Sequence, residues 1–444
     1  MNFLDAVYNA GVVGAGGAGF PTHLKMTKEV GTFIVNGAEC EPLLEVDKFL
    51  MREKTYELIK GMEIIAGNLK AARVVLGLKK KYKAEIKKLS ETIKELDSNV
   101  ELFLMDNFYP AGDEQIMVKD ITGKSIPAGG IPLDVDTVVS NVGTVINVYE
   151  AIEEKPVTKK YVSVLGEVNN PVMLEVPIGT SFEECIKRAG GVKIKNYAVI
   201  EGGPMMGKIV HRDELAEKAV IKTTGALIIL PEDHYVIKRK ERPEAHILNE
   251  SRAACIQCRM CTDMCPRYLI GHKLRPHRVM RAMGMGEQDE EILKEALICC
   301  ECNVCELFAC PMGISPKSTN TYLKGVFREK GVRYDGNKEI PSEHEMRDYR
   351  KIPVNRLIAR LNLSRYYNNK VADLQELKAD KVKIFLSQHI GKPAVPLVKE
   401  GDRVIEGQRI AEVGREEFGA NIHASINGVV TKVEKSYIEI DGMV

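Results

Sequence analysis

The sequence predicts a multidomain protein of mixed α/β and α+β class, on three observations. A chain of 444 residues exceeds what one hydrophobic core holds, so about three domains are expected. Short apolar runs alternate with helical patterns over roughly the first 150 residues, the mark of an α/β domain. Short strands between Gly-Asp, Glu-Gly and Asn-Gly turns fill about the last 60, the mark of a compact all-β unit.

Taken in order, Thr32–Asn36, Arg73–Leu78, Val100–Met105 and Val135–Ser140 read as buried strands of the first domain. Lys80–Asp97 is a charged amphipathic helix with a solvated lysine face. Strands at Tyr161–Leu165, Val172–Val176 and Ala226–Leu230, with a helix at Ser181–Ala189, form a small α+β unit. Lys238–Glu250 reads as a charged linker, and helices are expected at Glu287–Ile298 and Pro316–Lys330. Residues from Lys338 to Lys381 are polar and basic, with a helix at Arg356–Leu363. The expected boundaries are 1–155, 156–235, 245–335, a linker over 336–384, and 385–444.

Apolar content of 44% with 28% charged residues fits a globular protein. Sixty-three basic against 62 acidic residues argue against nucleic acid as the main partner. No run of about 18 apolar residues and no leader pattern occur, so no transmembrane segment is expected and the cytoplasm is the expected location.

Eight of eleven cysteines fall in two runs, each closed by Cys-Pro. Cys255, Cys258, Cys261 and Cys265 have the C-x2-C-x2-C-x3-C-P spacing of a [4Fe–4S] ligand set. Cys299, Cys302, Cys305 and Cys310 repeat it with one extra residue before the last thiol. The fourth cysteine usually reaches the other cluster in two-cluster domains. By that pattern Cys255, Cys258, Cys261 and Cys310 hold one cluster, and Cys299, Cys302, Cys305 and Cys265 the other. Zinc is the competing occupant and fits two Cys-Pro-closed runs poorly. Cys300 beside Cys299 leaves a register ambiguity, and Cys40 and Cys185 read as small buried hydrophobes. Clusters of this kind are oxygen-sensitive, which points to an anaerobic or microaerobic host.

The segment Gly14-Ala-Gly-Gly-Ala-Gly-Phe-Pro-Thr-His-Leu-Lys25 lets backbone N–H groups approach an anion. It departs from the Rossmann fingerprint, since no hydrophobic strand clearly precedes it. Asn36-Gly-Ala-Glu-Cys-Glu-Pro42 ends the next strand, where Asn36 suits a flavin and Glu39 and Glu41 suit a nicotinamide or ribose; the alternative is an ordinary surface loop.

These two segments resemble G-R-G-G-A-G-F-P-T-G-L-K and N-A-D-E-G-E-P of the NADH- and FMN-binding subunit of respiratory complex I. Tyr109-Pro-Ala-Gly-Asp-Glu114 and Ser140-Asn-Val-Gly-Thr144 fall where that family has its G-E-E and N-N-V-E-T segments. The resemblance is closer to the RnfC/PduS family, and the domain order is similar to that of PduS-type cobalamin reductases. It implies a Rossmann-like FMN/NADH domain, an SLBB β-grasp unit, a helical dicluster ferredoxin domain and an all-β barrel-sandwich hybrid. It further implies FMN on Gly14, Gly16, Gly17, Lys25, Asn36, Asn141 and Thr144. NADH is placed near Glu39, Glu41, Asp113 and Glu114, with Glu39 and Glu114 at the catalytic positions. Ala15, Ala38 and Gly143 depart from the complex I motifs, which leaves individual contacts open.

The function implied is electron transfer from NADH through FMN and two [4Fe–4S] clusters to a partner. The partner is a reductase subunit such as that of a methylenetetrahydrofolate reductase complex, a corrinoid protein, or a ferredoxin or flavodoxin. The alternative is a relay subunit that binds no NADH. The C-terminal unit resembles lipoyl and biotinyl domains but presents no lysine at a hairpin tip, so a structural or docking role is expected.

Overall fold

The computed structural model describes residues 2–286, 289–336, 341–367 and 371–442. Four parallel strands form the first sheet: β1 (Thr32–Asn36), β2 (Arg73–Lys79), β3 (Glu101–Met105) and, after the short β4 (Phe108–Tyr109), β5 (Thr137–Asn141). The order is β3-β2-β1-β5, with β2 and β5 flanking β1. Phe33, Ile34 and Val35 are fully buried, as continuous apolar runs are when helices cover both faces of a parallel sheet.

Seven helices accompany it: α1 (Phe3–Asn9), α2 (Thr22–Lys25), α3 (Val46–Glu53), α4 (Thr55–Leu69), α5 (Lys83–Glu95), α6 (Glu114–Thr122) and α7 (Val142–Ile152). Helix α4 lies tightly on α7 through Gly61, where a Cβ would fall 2.7 Å from the Val145 carbonyl oxygen. Helix α1, rather than a strand, precedes the glycine loop, which accounts for the missing Rossmann fingerprint.

The second sheet holds β6 (Lys159–Gly166), β7 (Val172–Pro177), β8 (Tyr197–Glu201), β9 (Lys208–His211) and β10 (Ala226–Pro231). The distant strand Ala372–Glu376 joins its edge, parallel to β7. Within the expected linker 336–384, the described residues 341–367 and 371–384 therefore pack against the rest of the chain. Ile352–Pro353 pairs with β4, and Leu357 and Ile358 are buried in one core with Tyr109 and Val304. The expected linker Lys238–Glu250 is instead built into helices Tyr235–Lys240 and Glu244–Ala253, with Arg239 buried. Of the helix expected over Glu287–Ile298, residues 287 and 288 lie outside the described residues, and Glu290–Ile298 runs as α then 3-10 turns.

The C-terminal unit consists of a four-stranded and a three-stranded sheet. Its seam with the N-terminal segment is polar and buried. Lys222 Nζ donates to the Gly11 carbonyl at 2.6 Å and the Asn421 carbonyl at 2.7 Å. The Tyr8 hydroxyl donates to the Val413 carbonyl at 2.7 Å, and the Ile390 N–H to the Ala18 carbonyl at 3.1 Å. The C-terminal unit thus clamps the glycine loop from behind.

His389 accepts the Ala420 N–H at 3.0 Å in this seam. Burial, then the Lys222 charge, lowers His389 to about 4 and His423 to about 3. Both fall below the unfolded value of about 6.5, so the unfolded chain binds more protons and stability is lost as pH falls from 6.5 towards 4. Each histidine costs up to about 1.4 kcal/mol per pH unit through that window. An NMR titration should find both imidazoles neutral at pH of about 5.5, where an unperturbed histidine is mostly protonated. Protonation of either with an ordinary midpoint in the folded protein would contradict this.

Candidate functional site

Strand order reverses around β1, between β2 on one side and β5 on the other, and ligands of open α/β sheets bind beyond the strand C-termini at such a point. Asn36 and Asn141 end β1 and β5 and stand opposite each other in the register. Asn141 caps α7, accepting the Gly143 N–H at 2.9 Å, while its Nδ2 donates to Asp47 Oδ2 at 2.8 Å. Asn36 Nδ2 donates to the Gly112 carbonyl at 2.8 Å, and its Oδ1 accepts the Ala38 N–H at 3.1 Å.

The glycine loop folds over this edge. It is closed by a bridge between Val13 and Pro21 and by the Gly14 N–H donating to the Phe20 carbonyl at 2.9 Å. The Ala15 N–H donates to Thr144 Oγ1 at 2.8 Å. A Cβ on Gly16 would lie 2.6 Å from Asn141 Nδ2, whereas one on Gly17 would meet nothing within 4 Å. Gly16 is thus required by close approach, and Gly17 faces open space. Lys25 Nζ meets Glu114 Oε1 at 3.1 Å, so two of the sequence-predicted residues form one half-exposed pair.

The other acidic candidates divide. Glu41 accepts the Met205 and Met206 N–H groups, both at 2.8 Å, and binds the turn between β8 and β9. Burial raises Glu41 to about 7, opposed by those two donors and by Lys240. Asp113 caps α6, accepting from the Gln115 and Ile116 N–H groups, and pairs with Arg267 at 2.9 Å. Glu39 differs: its carbonyl accepts from Lys79 Nζ at 3.0 Å and the Tyr82 hydroxyl at 2.9 Å. Among the described residues its carboxylate accepts no hydrogen bond. Burial, then the Asp47 and Glu41 charges, pushes that carboxyl well above its ordinary range.

Two residues absent from the sequence reading belong to this edge. Asp47, on α3, is raised to about 6 by burial and held by Asn141. Lys160, on β6, donates to the Ala15 carbonyl at 3.3 Å and is lowered to about 8 by burial. Neither sits in a recognisable motif; only the packing of α3 and of the second sheet brings them here.

The cysteines ring two cavities. Cys265, Cys299, Cys302 and Cys305 line one, together with Cys300. Cys255, Cys258, Cys261 and Cys310 line the other. Among the described residues no three His, Cys, Asp or Glu side chains converge on a single-ion site. The two runs share a backbone pattern. Gln257 and Glu301, between the first two cysteines of each run, and Arg259 and Asn303, just after the second, all take positive φ. This equivalence matches Cys299 with Cys255, and Cys300 with Ile256. The extra residue before Cys310 is taken up by a π-helical turn, Val304–Ala309, where the first run has an α-turn, Met260–Asp263. A π turn holds about one residue more than an α turn, so Cys310 is still delivered to its cavity.

The first cavity abuts the N-terminal domain. The buried Tyr109 hydroxyl donates to the Cys302 carbonyl at 2.7 Å, and Asn303 Nδ2 to the Met205 carbonyl at 2.9 Å. Arg267, two residues after Cys265, holds Asp113. The second cavity is distal, and Cys258 is exposed there. No helix among the described residues is long and apolar enough to cross a membrane.

Residues 7–150 match the Nuo51 FMN-binding domain and 161–208 the SLBB domain. Residues 254–315 match the 4Fe-4S dicluster domain and 366–444 the RnfC barrel sandwich hybrid domain. The chain is 42% identical over 438 residues to the cobalamin reductase PduS of Citrobacter freundii, covering 98% of this chain and 95% of that protein. Identity and coverage are the same for PduS of Salmonella typhimurium. It is 33% identical over 269 residues to a component of the Na(+)-translocating ferredoxin:NAD(+) oxidoreductase complex of Acetobacterium woodii, covering 59% of this chain and 57% of that component.

Proposed function

The chain belongs to the family of the cobalamin reductase PduS, electron-transfer proteins with an FMN-binding domain and a 4Fe–4S domain, and on that premise we propose that it oxidises NADH and feeds a partner reductase in the cytoplasm. The observation that carries the reading is the docking of the Cys265/Cys299/Cys302/Cys305 cavity on the segment after β3, through Tyr109 and Asp113. FMN, when bound, would supply the conversion of a two-electron hydride into the single electrons that one-electron clusters require.

The residues present fit these groups. Gly16 and Gly17 leave the loop bare where Asn141 approaches, and the adjacent Thr144 and Lys160 fix its backbone. The Lys25–Glu114 pair places an ion pair at the loop's exit. Four thiols around each of two cavities are the donor set of two [4Fe–4S] clusters, with Cys300 a nearby thiol that does not bind. Glu39 offers an uncommitted carboxylate beside Asp47 and is the residue proposed to receive the nicotinamide nucleotide. The acceptor proposed is a corrinoid or the reductase of a complex, with ferredoxin or flavodoxin in the same role.

Glu39→Gln tests the assignment: NADH oxidation should fall by about tenfold or more while FMN content stays at the wild-type level. Equal loss of both would make Glu39 a structural residue. A relay subunit without an NADH site is the second reading. It is favoured by the engagement of Glu41 with Met205 and Met206 and of Asp113 with Arg267, which spends two of the four acidic candidates on interdomain contacts.

A further inference from the structure

We infer that the mouth of the distal cysteine cavity is the docking surface of a small acidic protein that carries one electron at a time. The inference rests on the proposal that this cavity holds a cluster. Ile256 and Met312 line the same cavity as Cys255, Cys258, Cys261 and Cys310, yet they are 61% and 46% exposed. Single exposed hydrophobics need no explanation, but two at the rim of one thiol-lined cavity form an apolar contact around an opening.

Arginines lie near that contact. Arg259 itself lines the cavity and is exposed. Arg259, Arg275 and Arg278 lie close enough to act on His277, a lining residue, against one carboxylate, Asp263. Arg275 is already neutralised by Glu295, and Arg259 faces Asp263 at 3.7 Å. Arg252, just before Cys255, and Arg281, next to the lining residue Met280, are exposed on helices that pack together. The whole chain carries a net charge of only +1, so this local excess is not general basicity. A small apolar centre beside a surplus of positive charge suits a transient complex, where charge governs encounter and little area is buried. Each encounter passes one electron: the cluster is oxidised, the carrier is reduced, and no bond is made or broken.

The test uses the reconstituted holoprotein and a small acidic flavodoxin. Binding is read by fluorescence anisotropy at salt of about 50 and about 300 mM, and electron transfer is followed after reduction with dithionite, which bypasses NADH. Wild-type binding should weaken with salt, and R252E/R281E should bind about tenfold or more weakly with unchanged iron and flavin content. Equal binding by the charge-reversed protein, or equal binding of a basic carrier such as cytochrome c, would overturn the proposal. Because reduction is chemical, a charge-reversal effect without NADH-driven flavin reduction would leave docking intact and sink the NADH reading. Normal flavin reduction with a silent charge reversal would sink docking alone.

Discussion

Replacing Cys302 by alanine is expected to remove about half of the protein-bound iron while leaving FMN in place. Cys302 lines the cavity nearest the flavin-type domain, and Cys258 lines the distal one. Cys258→Ala should therefore remove the other half. The two variants should differ in what still works. Loss at Cys302 interrupts the route before the distal cavity, so the flavin stays reducible but transfer to any external acceptor fails. Alanine keeps the Cys302 carbonyl that accepts from Tyr109, so the domain contact survives and the loss is confined to the thiol. Iron and FMN analysis checks this. Full iron in either variant would break the ligand assignment.

Arg267→Met is expected to destabilise the protein by about 3–5 kcal/mol, the usual cost of removing one partner of a buried ion pair. Arg267 and Asp113 have side chains only 10% and 13% exposed and meet at 2.9 Å. Removal of the guanidinium leaves the Asp113 carboxylate, which lies near the Cys300 thiol, with only its two capping N–H donors. The double variant Arg267→Met/Asp113→Asn should recover part of the loss, since no lone charge remains. Denaturant unfolding of the four proteins gives the coupling. A single variant within about 1 kcal/mol of wild type would mean that the pair does not hold the two domains together.

The inner strands β1 and β2, and β5, were legible because they are mostly buried and read as apolar runs, β1 spanning Thr32–Asn36 as expected; β3, at the edge, is more exposed and was legible from its apolar composition alone. Asn36 and Asn141 lie at the ends of β1 and β5, where their motifs placed them, and Thr144 lies in the first turn of α7. Glu41 and Asp113 carry the right chemistry, but their partners, Met205 and Arg267, lie more than 150 residues away, and no local pattern announces such a contact. Asp47 and Lys160 were missed for the same reason. Lys238–Glu250 misled because its charged composition hid Arg239 and Ile247, both of which are buried. The extra residue before Cys310 was visible as an irregularity, but spacing alone does not distinguish a loop from a π turn.

Stopped-flow mixing of the reconstituted protein with NADH under anaerobic conditions tests the central claim most directly. Flavin absorbance should bleach first, followed by bleaching of the cluster absorbance, and in Cys302→Ala the flavin phase should persist. Cluster-containing, flavin-replete protein whose flavin is untouched by NADH would contradict the account and leave a relay subunit in its place.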